Sequence, residues 1–315
     1  MKKQIFSLLV AMLATVTMYA QQIAVVSTTG ATSIYTTLKD AIEGAKAGSV
    51  VYLPGGSFPI ADSVKITKKL TIIGIGHNAQ SENVDGCTII SGNLQFQNGS
   101  DGSSVMGCYL TSNIFIGNDG TTSHNVLVRY CNVNEIHVSA ACNGTVINQN
   151  YIRRYINCNG ATDVTITNNI VNINISTMNG GTIANNIIWR GGGYQLYEVN
   201  NTLIKDNIFM YWNDGHRGSN CQVYGNMKAG DSWGEDCVTV TDWSEVFVND
   251  RGITPYSDYH FKEAYQQYSD KGIYGGTGFS DSALPPVPYI VSKSIPQQTD
   301  ASGKLRIRVA VKAGE

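Results

Sequence analysis

The densest run of side chains able to do chemistry is Tyr211-Trp212-Asn213-Asp214-Gly215-His216-Arg217-Gly218. A carboxylate two residues from an imidazole can act as an acid/base pair, which makes Asp214 and His216 candidate catalytic residues. Arg217 carries a planar cation of the shape that pairs with a uronate carboxylate, and Arg153 or Arg154 offers another. A β-elimination needs a cation beside the substrate carboxylate and a base for the α proton, and these residues contain both. The competing reading is structural, because Asp-Gly is a common turn pair and Trp212 can pack beneath the loop. A glycosidase needs two carboxylates across the sugar. Asp231, Glu235 and Asp236 lie close in sequence, yet no repeat supplies such a pair. The acids are otherwise scattered singly, and no CxxC or Cys/His spacing occurs, so neither a metal nor a cofactor is expected.

A second set of residues is spread along the chain. Where aliphatic residues alternate, the residue between them points outward. Ile114 and Ile116 place Phe115 outward, Ile136 and Val138 place His137, and Ile173 and Ile175 place Asn174. Arg153-Arg154-Tyr155-Ile156-Asn157 and Tyr194-Gln195-Leu196-Tyr197 continue the series. Aromatics and amides in a row suit sugars, whose rings stack and whose hydroxyls hydrogen-bond. The expected ligand-binding set is Phe115, His137, Arg153, Arg154, Tyr155, Asn174, Tyr197 and Trp212. The same residue types also fill ordinary solvated strand faces.

The elements that position these residues repeat. Val105-Met-Gly-Cys108, Val128-Arg-Tyr-Cys131, Ile147-Asn-Gln-Asn150, Ile166-Thr-Asn-Asn169, Ile183-Ala-Asn-Asn186, Ile204-Lys-Asp-Asn207 and Val223-Tyr-Gly-Asn226 share one pattern. The Cys/Asn positions are separated by 23, 19, 19, 17, 21 and 19 residues. A period of roughly 20 signals a solenoid. Each segment alternates as a strand, and Asn tolerates the left-handed bend that ends it. Stacked coils would bring these amides to the inter-strand spacing of about 4.8 Å. The predicted fold is all-β: a single-stranded right-handed parallel β-helix with three-strand coils and an Asn ladder over 105–228.

Composition narrows the rest. Charged residues make up 15% and net charge is −2, so no nucleic-acid partner is expected. Residues 1–20, with Lys2, Lys3 and an apolar run ending near Ala20, read as a signal peptide. The expected location is therefore secreted, periplasmic or cell-surface, with no transmembrane segment. The seven cysteines cannot all pair within one chain. They read as small buried residues, with a Cys142–Cys158 bridge as an alternative. Residues 21–282 form the expected β-helix. Residues 283–315 hold a Pro-rich linker and a hairpin around Asp300-Ala-Ser-Gly303, expected to cover the C-terminal end of the solenoid.

Tyr35 to Ala47 has helical apolar spacing and closes at Gly48. Val50-Val-Tyr-Leu-Pro-Gly-Gly56 and Ile66-Thr-Lys-Lys-Leu-Thr-Ile-Ile-Gly74 follow. This opening, with the Asn ladder, resembles secreted bacterial pectin-lyase-like parallel β-helix proteins over about residues 33 to 228. The resemblance implies a helix capping the N-terminal end and a ligand groove along one sheet. Asp258-Tyr-His-Phe-Lys262 and Lys271-Gly-Ile-Tyr-Gly-Gly276 are similar to the closing coil of such proteins. The family includes lyases, hydrolases, esterases, adhesins and inert spikes, and its hydrolase, pectate-lyase and esterase motifs are missing here. The expected function is therefore binding or display against a polysaccharide or other glycan. The alternative is a polysaccharide lyase or glycoside hydrolase.

Overall fold

The computed structural model describes residues 22–78, 86–189, 193–211, 218–230, 233–248, 257–282, 284–296 and 298–312. Parallel strands stack as a β-solenoid of about eight turns. Val105, Val128, Ile147, Ile166, Ile183, Ile204 and Val223 are successive register partners, so every repeat aligned by sequence is one coil. Six of them are fully buried.

Each complete coil carries three short strands, for example Leu127–Arg129, Asn132–Val133 and Ile136–Val138. They build three faces. The first face is an eleven-stranded sheet that opens with the antiparallel strands Ile23–Val26 and Thr32–Tyr35. The second and third faces join because Thr88–Phe96 is long enough to turn a corner. Its Ile89 and Ile90 pair with Tyr109 and Leu110, and its Leu94–Phe96 pair with Ile114–Ile116. Aliphatic columns from all three faces fill the core.

The Asn ladder lies at the corner between the first two faces. Asn150, Asn169, Asn186, Asn207 and Asn226 are all fully buried. Each Oδ1 accepts the backbone N–H of the ladder residue in the preceding coil at 2.9–3.0 Å. Each Nδ2 of the first four donates to the next Asn at 2.9–3.1 Å. Cys131 continues the column, with its Sγ donating to the Arg129 carbonyl. One detail differs from the sequence reading. The left-handed residue is the one before the ladder position: Tyr130, Gln149, Asn168, Asn185 and Asp206, all with φ of 52–57°. That preceding residue makes the bend, and the bend turns the following Asn into the core.

The helix is shorter than its pattern. Leu38–Gly44 is capped by Thr37, whose Oγ1 accepts from Asp40 N at 3.1 Å, and it sends Leu38, Ala41 and Ile42 into the core. Tyr35 instead ends the strand Thr32–Tyr35.

Beyond Lys228 the chain departs from a simple closing coil. On the second face the outward positions Tyr151, Ile170, Ile187, Ile208 and Met227 are apolar as well. They are covered from outside by Val246, Phe247, Tyr259, Phe261 and Ile273, which form a second core. The chain then runs back along the ladder corner as a strap. Gly272 N donates to the Asp206 carbonyl at 2.8 Å, and Asn185 Nδ2 donates to the Asp270 carbonyl at 2.7 Å. Asn168 Nδ2 donates to the carbonyls of Ile273 and Gly275, and Ser280 N donates to Gln149 Oε1 at 3.1 Å. The strap then passes Pro285 beside Gly107 and brings Val287–Ile290 against Ala24, Tyr52 and Leu53. The hairpin of Tyr289–Ser294 and Arg308–Lys312 therefore sits at the N-terminal end, not over the C-terminal one. The left-handed residues, whose side chains point out of the coil, direct this return path.

All seven cysteines are free. Asn143 bridges to Thr162, which places Cys142 beside Ala161, so Cys142 and Cys158 occupy different columns. Burial pushes the Cys131 and Cys158 thiols up to about 12, as suits inert core residues. Among the described residues, no helix is long and apolar enough to cross a membrane.

Candidate functional site

With the second face covered by the strap, the third face keeps a row of rings and amides turned outward. Its inward column is Ile114, Ile136, Ile156, Ile175 and Leu196. Side chains alternate along a strand, so the residues on either side of that column point out. After it come Phe115, His137, Asn157, Ser176 and Tyr197, which are register partners coil by coil. Before it come Asn113, Glu135, Tyr155, Asn174 and Gln195, each accepting the N–H of the inward residue one coil earlier. Two outward columns thus run along the axis. Phe115, His137, Tyr155, Asn174 and Tyr197 all fall in them, as expected. Ile173 does not flank the row from inside; it is half-buried, and Asn174 and Ser176 flank Ile175 instead.

The structure adds Glu135, which the alternation argument passed over because it counted only one outward column. Its carboxylate is nearly buried. Oε2 accepts from His137 Nε2 at 3.0 Å and from Asn113 Nδ2 at 3.3 Å. Oε1 accepts from Arg154 Nη1. Asn134 Nδ2 supports the cluster by donating to Asn113 Oδ1 at 2.9 Å. Burial and a hydrogen bond to Glu135 push the Tyr155 hydroxyl above its ordinary pKa. A carboxylate engaged on both oxygens holds its neighbours in place more readily than it accepts a proton from a ligand. Glu135 therefore orients the His137 ring and one edge of the half-exposed Arg154 guanidinium. The signal for it was available: it sits two residues before His137, directly across from Asn113 and Tyr155.

The rings have unequal access. Phe115 and His137 stack on each other, with centroids 4.9 Å apart and planes 16° apart. His137 meets Tyr155 edge-on at 5.6 Å. Tyr197 stacks on Tyr194 at 6.0 Å, and its hydrogen bond to Glu198 raises the hydroxyl pKa. Arg153 does not join Arg154. It turns to the second face, lies over the Tyr109 ring, and donates to the carbonyls of Leu110 and Thr111 and to Asn132 Oδ1. Held by three acceptors, it is a fastener between coils and not a ligand-facing cation.

Compared with known proteins, the chain matches no family model, no curated protein and no solved structure. The fold rests on its own strand register. Trp212, Asp214, His216 and Arg217 lie outside the described residues, as does Asp231. No group of three or more His, Cys, Asp or Glu among the described residues is arranged to hold a metal ion.

Proposed function

We propose that the third face binds a glycan chain laid along the solenoid axis. The observation that carries this reading is the double outward column across five coils, from Asn113 and Phe115 to Gln195 and Tyr197. A linear polymer running along it meets a ring or an amide at each step of about 4.8 Å. Amides pair with hydroxyls, and tyrosines offer an apolar body with a polar tip. The N-terminal pattern of residues 1–20 supports display outside the cytoplasm.

The test is binding of the purified protein to a panel of neutral and uronate-containing polysaccharides by calorimetry. Tyr155→Ala and Tyr197→Ala are each expected to weaken binding by about 1–3 kcal/mol, the scale of lost aromatic contact. Unchanged affinity in both variants removes the third face as the site.

The Glu135–His137 contact beside Arg154 favours a second reading, elimination on a uronate chain. Arg154 would neutralise the sugar carboxylate and His137, oriented by Glu135, would take the α proton. Ultraviolet-absorbing unsaturated product, lost in His137→Ala, would support it. Product lost instead in Asp214→Ala with His216→Ala would move the chemistry to that loop. Binding without turnover returns the first reading.

A further inference from the structure

The tail hairpin is built unlike the rest of the molecule. Its strands Tyr289–Ser294 and Arg308–Lys312 pair only with each other among the described residues. Its base is anchored, with Leu284 and Tyr289 buried, but the strand Arg308–Lys312 is exposed along its whole length. From Leu305 to Val311 the residues alternate. Leu305, Ile307, Val309 and Val311 are 45–60% exposed on one side, and Arg306 and Arg308 lie on the other. Two strands alone are marginal in water, and a third is the usual remedy. A free edge that alternates aliphatic and cationic residues is a template for one.

The geometry points to an acidic partner protein that adds an extended segment, alternating acidic and aliphatic residues, to the free edge of Arg308–Lys312. Charge decides between occupants. A second copy pairing edge to edge would set Arg306 and Arg308 against the same cations, which is unfavourable. Packing two copies face to face buries only four aliphatics a side, far below the roughly 1,200 Å² of a stable interface. A lipid surface is also disfavoured. Inserting the aliphatic side would turn the arginines away from the headgroups and leave an unpaired strand edge in hydrocarbon. A strand with carboxylates opposite the arginines satisfies both the edge and the charge.

The probe is a fluorescein-labelled peptide of alternating Glu and Val, set against its Lys/Val counterpart. Binding to the full chain is followed by fluorescence anisotropy at low and high salt. The acidic peptide is expected to bind in preference to the basic one, and more weakly at high salt. The exposed double variant Arg306→Glu with Arg308→Glu should lose about tenfold or more of that affinity and prefer the basic peptide. Circular dichroism identical to the parent confirms that its fold is intact. The proposal is overturned by no binding, by equal binding of both peptides, or by affinity indifferent to charge reversal. Preferential binding to anionic phospholipid vesicles overturns it in favour of a membrane. Self-association in light scattering that the double variant abolishes overturns it in favour of a second copy.

Discussion

Asn168 and Asn169 are adjacent and chemically identical, yet they do opposite jobs. Asn169 turns inward, donates to the carbonyls of Ile147 and Thr167, and accepts from Asn150. Asn168 takes the left-handed bend and grips the strap. Asn169→Ala should strand the Asn150 N–H in the core and cost about 3 kcal/mol, read as a shift in the urea midpoint. Asn168→Gly keeps the permitted backbone and loses only the strap bonds, so about 1 kcal/mol is expected. Equal losses would mean that the two positions carry the same load. His77 adds a pH dependence. Burial drives its pKa from 6.5 to about 4, with both ring nitrogens enclosed. The folded protein thus resists protonation while the unfolded chain accepts it. Stability should fall by about 3 kcal/mol as pH drops from the model value of 6.5 to about 4. His77→Gln should flatten that decline, and parallel curves for parent and variant would show that His77 charges within the fold. The third-face residues were legible one at a time, because strand alternation assigns each from its neighbours. Glu135 was missed because its importance arises from Asn113 and Arg154, which lie in other coils.

At the scale of elements, the strap changes what the second face is. Ile170, Ile187 and Ile208 point outward, where solvent would be expected, and are buried instead. Strands that are apolar on both sides are covered on both sides. That signal was present in the pairs Ile170-Val171, Ile187-Ile188 and Ile208-Phe209, although it does not say what does the covering. Phe247 is central to the cover, with Phe261, Trp243 and Tyr259 at 5.4–5.7 Å. Phe247→Ala should cost about 3–5 kcal/mol and raise binding of an apolar dye as the aliphatic row opens. A small loss with no dye signal would mean that the cover is held elsewhere. The hairpin was also legible as a hairpin. Its location was not, since nothing local to residues 283–315 records that the strap runs backwards.

For the whole molecule, the strap links coils that are far apart along the axis. A bare solenoid couples each coil only to its neighbours and can melt from an end. Here one segment touches Asp206, Asn185, Asn168, Gln149 and Gly107 in turn. Unfolding should therefore be a single transition, with far-ultraviolet circular dichroism and tryptophan fluorescence superimposing. A fluorescence change at lower urea than the loss of strand signal would show that the C-terminal segment detaches on its own.

The residues alone determined the winding. A branched aliphatic and an amide recurring about every twenty positions dictate strand, bend and inward ladder through contacts between adjacent coils. Which face stays open, where the tail lands and which acid holds His137 were decided only in three dimensions. Each depends on segments distant in sequence meeting across the outside of the coil, where no short-range period constrains them.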